Sequence, residues 1–164
     1  MMAVARDRTY ADLLRDLRGR RVLIWTCGTC ARLCGGLGGA DAARDLAGRL
    51  GADGADVAGT VHSSACCLMG KAMAMRGSAP EGYDTVLALC CDVGARNAAE
   101  ATGAEVLNPV RTLGPGSLDA EGRPMVAVYR DGRIAGEVPL EEAASRAGCR
   151  AGPFRCGHHL YARV

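Results

Sequence analysis

Short apolar strands alternate with helices along most of the chain, and this alternation limits the possible fold more than any other feature. Strands are predicted at 21–27, 56–62, 84–91 and 105–110. Helices between them are predicted at 40–50, 68–76 and 94–102. Strands joined through helices form right-handed crossovers and lie parallel in one sheet. The pattern therefore predicts a three-layer α/β fold with a mostly parallel, four-stranded, flavodoxin- or Rossmann-like sheet.

The rest of the sequence divides the chain into three segments. Residues 1–19 are predicted as a leading helix, because Thr9 and Asp12 form a capping box before apolar residues at helical spacing. Residues 20–115 form the cysteine-rich α/β domain, and residues 116–164 hold a β-hairpin, a short helix and a Cys/His tail. A chain of 164 residues can bury its core without disulfides.

Turn-forming residues organise the C-terminal segment. Residues 111–124 are rich in glycine, proline and charge, which predicts a loop. Asp131 and Gly132 separate two alternating runs and predict a hairpin with a type I′ turn over 125–138. A short helix is predicted over 139–147, since a proline opens it and a glycine follows it.

Composition excludes several classes of function. The net charge is +2 and aromatic residues make up 4% of the chain, so neither a basic patch nor a base-stacking platform for nucleic acid is expected. No segment has the length and hydropathy of a signal peptide or a membrane span, which predicts a cytoplasmic protein without a membrane partner. Nine cysteines in a reducing compartment indicate metal or thiol chemistry rather than disulfides.

The cysteines follow the predicted strands. Cys27, Cys30 and Cys34 form a C-x2-C-x3-C motif after the first strand, one ligand short of a tetrathiolate site. The pairs Cys66-Cys67 and Cys90-Cys91 fall where the next two strands end. If the first strand lies between the second and the third, all three groups meet at the carboxyl edge of the sheet. Side chains alternate along an extended chain, so one member of each pair should face the site and the other the fold.

Soft thiolates select iron-sulfur clusters, zinc or copper(I). The glycine run at 35–39 favours an iron-sulfur cluster, because unshielded backbone N–H groups at a helix N-terminus can donate to cluster sulfurs. Gly28, Gly35 and Gly36 are the glycines predicted to contact the cofactor. Zinc is satisfied by the same thiolates and stays open as the alternative.

Other functions fit parts of the same pattern. A structural zinc module would only organise a partner protein, and a thiol oxidoreductase would use Cys27 and Cys30 in a thioredoxin-like spacing. An individual cysteine at a strand end can also be a small buried hydrophobe. Near the C-terminus, a second metal site and a polar tail both remain open for four residues: Cys149, Cys156, His158 and His159.

Three stretches resemble the methylenetetrahydrofolate reductase C-terminal domain family. They are the strand and cysteine loop from Val22 through Cys34 with its following glycines, Leu87 to Gly94, and Leu107 to Gly114. The resemblance implies a small iron-sulfur subunit, with a 4Fe-4S cluster, that passes electrons to a flavin-dependent reductase subunit in a hetero-oligomer. It also implies that this chain transfers no hydride itself.

The resemblance also selects ligands within the motifs. It matches Cys27, Cys30 and Cys34 to the family's leading motif and Cys91 to the cysteine before a small-x-Gly element. Cys66 or Cys67 falls where the family carries a cysteine after its second strand. The expected metal ligands are therefore Cys27, Cys30, Cys34, Cys91 and one or other of Cys66 and Cys67.

Overall fold

The computed structural model describes residues 1–154, and two four-stranded sheets organise them into a mixed α/β fold. In chain order the elements are β1 (Met2–Arg6), α1 (Tyr10–Asp16), β2 (Arg21–Cys27), α2 (Cys30–Leu33), α3 (Ala40–Ala52), β3 (Asp56–Ser63), α4 (Met69–Gly77), β4 (Thr85–Leu89), α5 (Asp92–Thr102), β5 (Glu105–Leu107), β6 (Val110–Leu118), β7 (Pro124–Arg130), β8 (Arg133–Pro139) and α6 (Leu140–Arg146). None of the helices in this part of the chain is both long and apolar enough to cross a bilayer.

The first sheet is parallel, with strand order β3-β2-β4-β5. Its central strand β2 is buried on both faces, from Val22 to Trp25, because helices cover both sides of the sheet. Helices α1 and α3 pack on the face that carries Ile24, and α4 and α5 pack on the face that carries Trp25. The predicted parallel sheet is confirmed, and so is the position of β2 between β3 and β4.

The second sheet is antiparallel, with order β1-β6-β7-β8, and the prediction included only its hairpin β7–β8. Strand β6 occupies most of the region predicted as a loop and runs through the predicted boundary between 20–115 and 116–164. Its Pro115 pairs with Met2 of the edge strand β1. Proline is tolerated there because the flanking pair, Met1 and Gly116, exchanges the hydrogen bonds.

Two local predictions, the capping box of the first helix and the hairpin turn, are confirmed. The Thr9 side chain accepts from the Asp12 N–H and the Asp12 carboxylate accepts from the Thr9 N–H, which is the predicted capping box of α1. Asp131 and Gly132 both have positive φ, 52° and 75°, as a type I′ turn between β7 and β8 requires. The outer strand β8 is exposed along most of its length, and a bulge interrupts its pairing with β7.

Candidate metal centre

All the cysteines of residues 1–154 except Cys149 lie at the carboxyl edge of the parallel sheet. The first group ends β2 and continues through the short helix α2, the second follows β3, and the third joins β4 to α5. The members are Cys27, Cys30, Cys34, Cys66, Cys67, Cys90 and Cys91. Three separate loops therefore bring their thiols to one edge, as the strand positions predict.

The two vicinal pairs divide between the fold and the edge. Cys66 and Cys90 are fully buried, Cys91 is also buried at 4% exposure, and Cys67 is exposed. The Cys66 thiol donates to the Thr26 carbonyl oxygen at 3.3 Å, which directs it into the fold. Burial therefore separates Cys67 from Cys66, and in the second pair the neighbours differ, since Cys91 is near Cys30, Cys67 and Cys27 whereas Cys90 contacts Cys66.

Helix α5 can approach the buried pair only because it carries a glycine. An added Cβ at Gly94 would lie 2.9 Å from the Cys90 sulfur and 3.0 Å from the Cys66 Cβ. Both distances are shorter than any ordinary contact, so the first turn of α5 fits against these two cysteines only without a side chain. Gly94 therefore sets the depth at which Cys91, just before the helix, sits.

Cys91 lies within electrostatic range of thiols from the other two loops. Burial raises the pKa of Cys91, the backbone N–H of Gly94 lowers it, and negative charge on Cys30, Cys67 and Cys27 raises it further. Like charges raise a pKa only when they are close enough to oppose ionisation. The neighbourhood of Cys91 therefore includes the thiols of Cys27, Cys30 and Cys67, which are near enough to oppose its ionisation.

Cys27 links this neighbourhood to the buried pair. Hydrogen bonding with Cys66, together with burial, strongly raises the pKa of the Cys27 thiol. For Cys66, hydrogen bonding with Cys27 lowers the pKa, but hydrogen bonding with Cys90 and burial raise it overall. Both groups are therefore neutral thiols at pH 7, and converting them to thiolates requires a nearby positive charge such as a metal ion.

The sulfur atoms of Cys34 and Cys30 accept hydrogen bonds from strand β1 of the second sheet. The backbone N–H of Val4 donates to the Cys34 sulfur at 3.3 Å, and the N–H of Met2 donates to the Cys30 sulfur at the same distance. The Cys34 thiol also donates to the Met2 carbonyl oxygen at 3.8 Å. The Cys34 sulfur is thus occupied by β1, and its burial is complete.

The indole of Trp25 supplies a further donor from the central strand. Its Nε1–H is fully buried and has no hydrogen-bond acceptor of ordinary geometry. The same group lowers the pKa of the Cys66 thiol, which places it beside that sulfur. A buried N–H left without a strong acceptor favours negative charge nearby, because a thiolate would accept its hydrogen bond.

The glycines play a different part from the predicted one. The N–H of Gly28 donates to the Ser63 carbonyl at 2.7 Å, and the N–H of Gly36 donates to the Arg32 carbonyl at 2.9 Å. The expectation of unshielded N–H groups in the glycine run at 35–39 is therefore wrong at Gly36, and the N–H of Gly28 also has a backbone partner. Gly35 and Gly36 have φ near 71° and 72°, so they serve the turn that leads from α2 toward α3.

The thiols at this edge fit a thiolate-bound metal centre in type and number. Cysteine sulfur is the ligand that iron-sulfur clusters and structural zinc prefer, and four thiolates complete either kind of site. Within residues 1–154, no three Cys, His, Asp or Glu side chains are already arranged to hold an ion. Binding would therefore require side-chain movement, which the exposed Cys67 can make.

Comparison with known proteins returns no match. No family model, no curated protein and no solved structure matches this chain. The function must therefore be inferred from the chemistry of the edge and from the motifs themselves.

Cys149 lies apart from the other cysteines. It packs with Ala5 and Ala144 in a separate small cluster, and burial raises the pKa of its thiol. The remaining residues of the predicted second site, Cys156, His158 and His159, lie outside the described residues. Cys149 itself is a buried apolar contact between β1 and α6.

Proposed function

We propose that this chain is an iron-sulfur electron-transfer or accessory subunit of a methylenetetrahydrofolate reductase-like complex. One cluster would be held by Cys27, Cys30, Cys67 and Cys91 at the carboxyl edge of the parallel sheet. The observation that carries this proposal is the placement of three cysteine groups at the carboxyl edge of the parallel sheet, where thiols from both other loops oppose the ionisation of Cys91. A positively charged centre beside Cys91 would relieve that repulsion.

The other thiols at the edge have different partners. Cys34 accepts from the N–H of Val4 and is buried against β1. Cys66 is directed into the core by its hydrogen bond to Thr26, beside Trp25 and the fully buried Cys90. We therefore prefer Cys67 over Cys66 as the ligand from the second loop. We propose that Cys34 packs beside the site without binding the metal.

Two features favour a redox-active cluster over zinc. The N–H of Met2 donates to the Cys30 sulfur, and the indole N–H of Trp25 lies beside Cys66. Such donors offset the negative charge of a thiolate-bound cluster and tune its reduction potential. The exposed Cys67 would bring one side of the centre to the surface, where electrons can enter or leave. When bound, the cluster supplies one-electron transfer, and the chain itself supplies ligands, donors and exclusion of water on the inner side.

The partner in this proposal is a flavin-dependent reductase subunit, and the motif resemblance suggests it. The surface beside the site agrees with a docking role, because Leu68 and Val93 are each 54% exposed. Leu68 follows Cys67 directly, and Val93 lies two residues after Cys91. Exposed apolar side chains next to a centre are typical of an interaction surface, and a partner seated there would bring its flavin close to the cluster.

A thioredoxin-like reaction through Cys27 and Cys30 fits less well. A nucleophilic cysteine needs a lowered pKa so that the thiolate is available. The pKa of Cys27 is raised instead, by hydrogen bonding with Cys66 and by burial. The first thiol of the motif is thus better suited to become a thiolate only when a metal binds.

Metal analysis of protein prepared without oxygen tests the proposal. We expect brown protein that contains iron and acid-labile sulfide and shows a broad visible absorption that bleaches on reduction. The variant Cys67→Ser should lose most of the iron, and because Cys67 is exposed its fold should be unaffected. The matched control Cys149→Ser, which alters a thiol away from the edge, should keep its iron.

Two outcomes contradict this assignment. Colourless protein with stoichiometric zinc would show a structural zinc module in place of an electron carrier. Equal iron content in Cys67→Ser and Cys149→Ser would show that Cys67 is not a ligand.

A further inference from the structure

One edge of strand β1 pairs with β6, and its other edge faces the cysteine helix α2. On that outer edge the N–H of Met2 donates to the Cys30 sulfur and the N–H of Val4 donates to the Cys34 sulfur, each at 3.3 Å. The Cys34 thiol returns a hydrogen bond to the Met2 carbonyl at 3.8 Å. Two cysteine side chains thus take the place of a neighbouring strand.

The spacing of outward N–H groups along β1 is close to the spacing of the Cys30 and Cys34 side chains on the α2 turn. Alternate N–H groups of a strand point to the same side, about 6.6 to 6.8 Å apart. Residues one helical turn apart, such as Cys30 and Cys34, place their side chains about 5 to 6 Å apart on one face. A single helical turn can therefore present two sulfurs to two successive outward N–H groups of β1.

The register of β1 fixes which N–H groups face outward. Met1 and Gly116 exchange both backbone hydrogen bonds, since the Gly116 N–H donates to the Met1 carbonyl and the Met1 ammonium donates to the Gly116 carbonyl. The N–H of the next residue, Met2, must then point away from β6. Its partner across the pair is Pro115, which has no N–H to offer.

We infer that β1 is a positioning element of the metal centre, in which the Met2 backbone N–H holds the Cys30 sulfur as a ligand and metal binding and β1 docking strengthen each other. This inference rests on the proposed function, because it takes Cys30 as a ligand. A thiolate accepts an N–H hydrogen bond more strongly than a neutral thiol does, so metal binding at Cys30 tightens the contact with β1. By linkage, docked β1 raises the affinity of the site for metal by the same factor.

Two substitutions at Met2 isolate the N–H group. Met2→Pro removes the donor, while Met2→Ala removes the same side chain and keeps the N–H. Proline is compatible with this position, because the Met2 N–H takes no part in the ladder with β6. The full-length variants would be compared by their affinity for Zn²⁺, measured in competition with a chromophoric chelator, with circular dichroism to check the fold.

We expect Met2→Ala to bind Zn²⁺ as the unaltered protein does and Met2→Pro to bind about 10- to 100-fold more weakly, which is the usual effect of losing an outer hydrogen bond to a metal ligand. Equal affinities of the two variants would overturn the inference and leave the proposed ligands in place. Failure of the unaltered protein to bind Zn²⁺ would overturn the proposed site and the inference with it.

A second measurement needs no substitution and decides the matter if Met2→Pro does not fold. Amide exchange at Met2 and Val4, followed by nuclear magnetic resonance, would be compared without and with saturating Zn²⁺. Slower exchange at Met2 in the presence of Zn²⁺, with unchanged exchange in the distant hairpin β7–β8, is the expected result. Exchange at Met2 that Zn²⁺ leaves unchanged would refute the coupling.

Discussion

The two ends of the parallel sheet carry opposite chemistry. At the amino edge, the guanidinium of Arg20 contacts the Glu105 carboxylate at 2.6 Å, and the backbone N–H of Arg21 donates to the Asp84 carboxylate at 3.1 Å. These carboxylates and guanidinium groups stand largely in water, as the 65% exposure of the Glu105 side chain shows. At the carboxyl edge the groups are thiols, and most of them are buried.

The side chains at the two ends of the same strands therefore contribute differently to folding. Charged pairs at the amino edge are solvated whether or not they meet, so each contributes little to folding. Neutral thiols at the carboxyl edge can be buried at low cost, yet they become costly as soon as they ionise. Charged groups are thus tolerated at the amino end of the sheet, whereas the carboxyl end buries neutral thiols that do not tolerate charge. Substitutions at the two ends should therefore change stability by different amounts.

The largest effect is expected where α5 packs on the thiols. Gly94→Ala places a Cβ 2.9 Å from the Cys90 sulfur, and this overpacking should lower the free energy of unfolding by about 1 to 3 kcal/mol. Gly48→Ala is the matched control, because it lies in α3 with open space around it and should raise stability by about 0.5 to 1 kcal/mol. Urea unfolding of the metal-free proteins measures both changes. A Gly94→Ala variant as stable as Gly48→Ala would show that the carboxyl edge is loosely packed.

An intermediate effect, and one that depends on pH, is expected at the amino edge. Hydrogen bonds from Thr85 and from the backbone N–H of Arg21 lower the pKa of Asp84 in the folded state. Asp84 therefore stabilises the fold above its unfolded pKa of about 3.9, and this contribution is lost as the pH falls through the lower folded value. Asp84→Asn should lower the urea midpoint at pH 7 and leave it nearly unchanged at pH 2. A difference that is as large at pH 2 as at pH 7 would contradict this account.

The smallest effect is expected for the exposed ion pair. Glu105→Gln removes the carboxylate that contacts Arg20, and both side chains are accessible to water. Screening by salt should make the variant and the unaltered protein indistinguishable in 1 M NaCl, with only a slight loss at low salt. Thermal unfolding at the two salt concentrations measures the change. A large loss that persists in high salt would mean that the two edges differ less than we infer.

The parallel sheet could be predicted because its signals are local and repeated. The two central strands β2 and β4 are apolar runs, each helix between strands ends at a glycine or near one, and short right-handed connections favour this order of strands. The strands β1 and β6 gave no such signal. Strand β6 contains Gly114, Pro115 and Gly116, which are typical of a loop, and only its pairing with β1 and β7 makes it a strand.

The candidate site, too, could be predicted only in part from the sequence. Strand ends predict that the three cysteine groups converge, and alternation predicts that each vicinal pair divides. The partner of Cys34 could not be predicted, because it is the backbone of a strand that the pattern does not reveal. The position of the Trp25 indole beside Cys66 could not be predicted either, since it depends on how β2 packs beside the loop that follows β3.

The antiparallel sheet closes its two borders in different ways. Strand β1 is closed by sulfur atoms and, further along, by reciprocal hydrogen bonds between Arg6 and Arg150. Strand β8 carries Arg133 and Glu137 beside a bulge, and charge and irregular pairing both discourage a second chain from adding to the sheet. Cys34 therefore does more than fill the core, because its sulfur occupies a backbone N–H that an added strand could otherwise use.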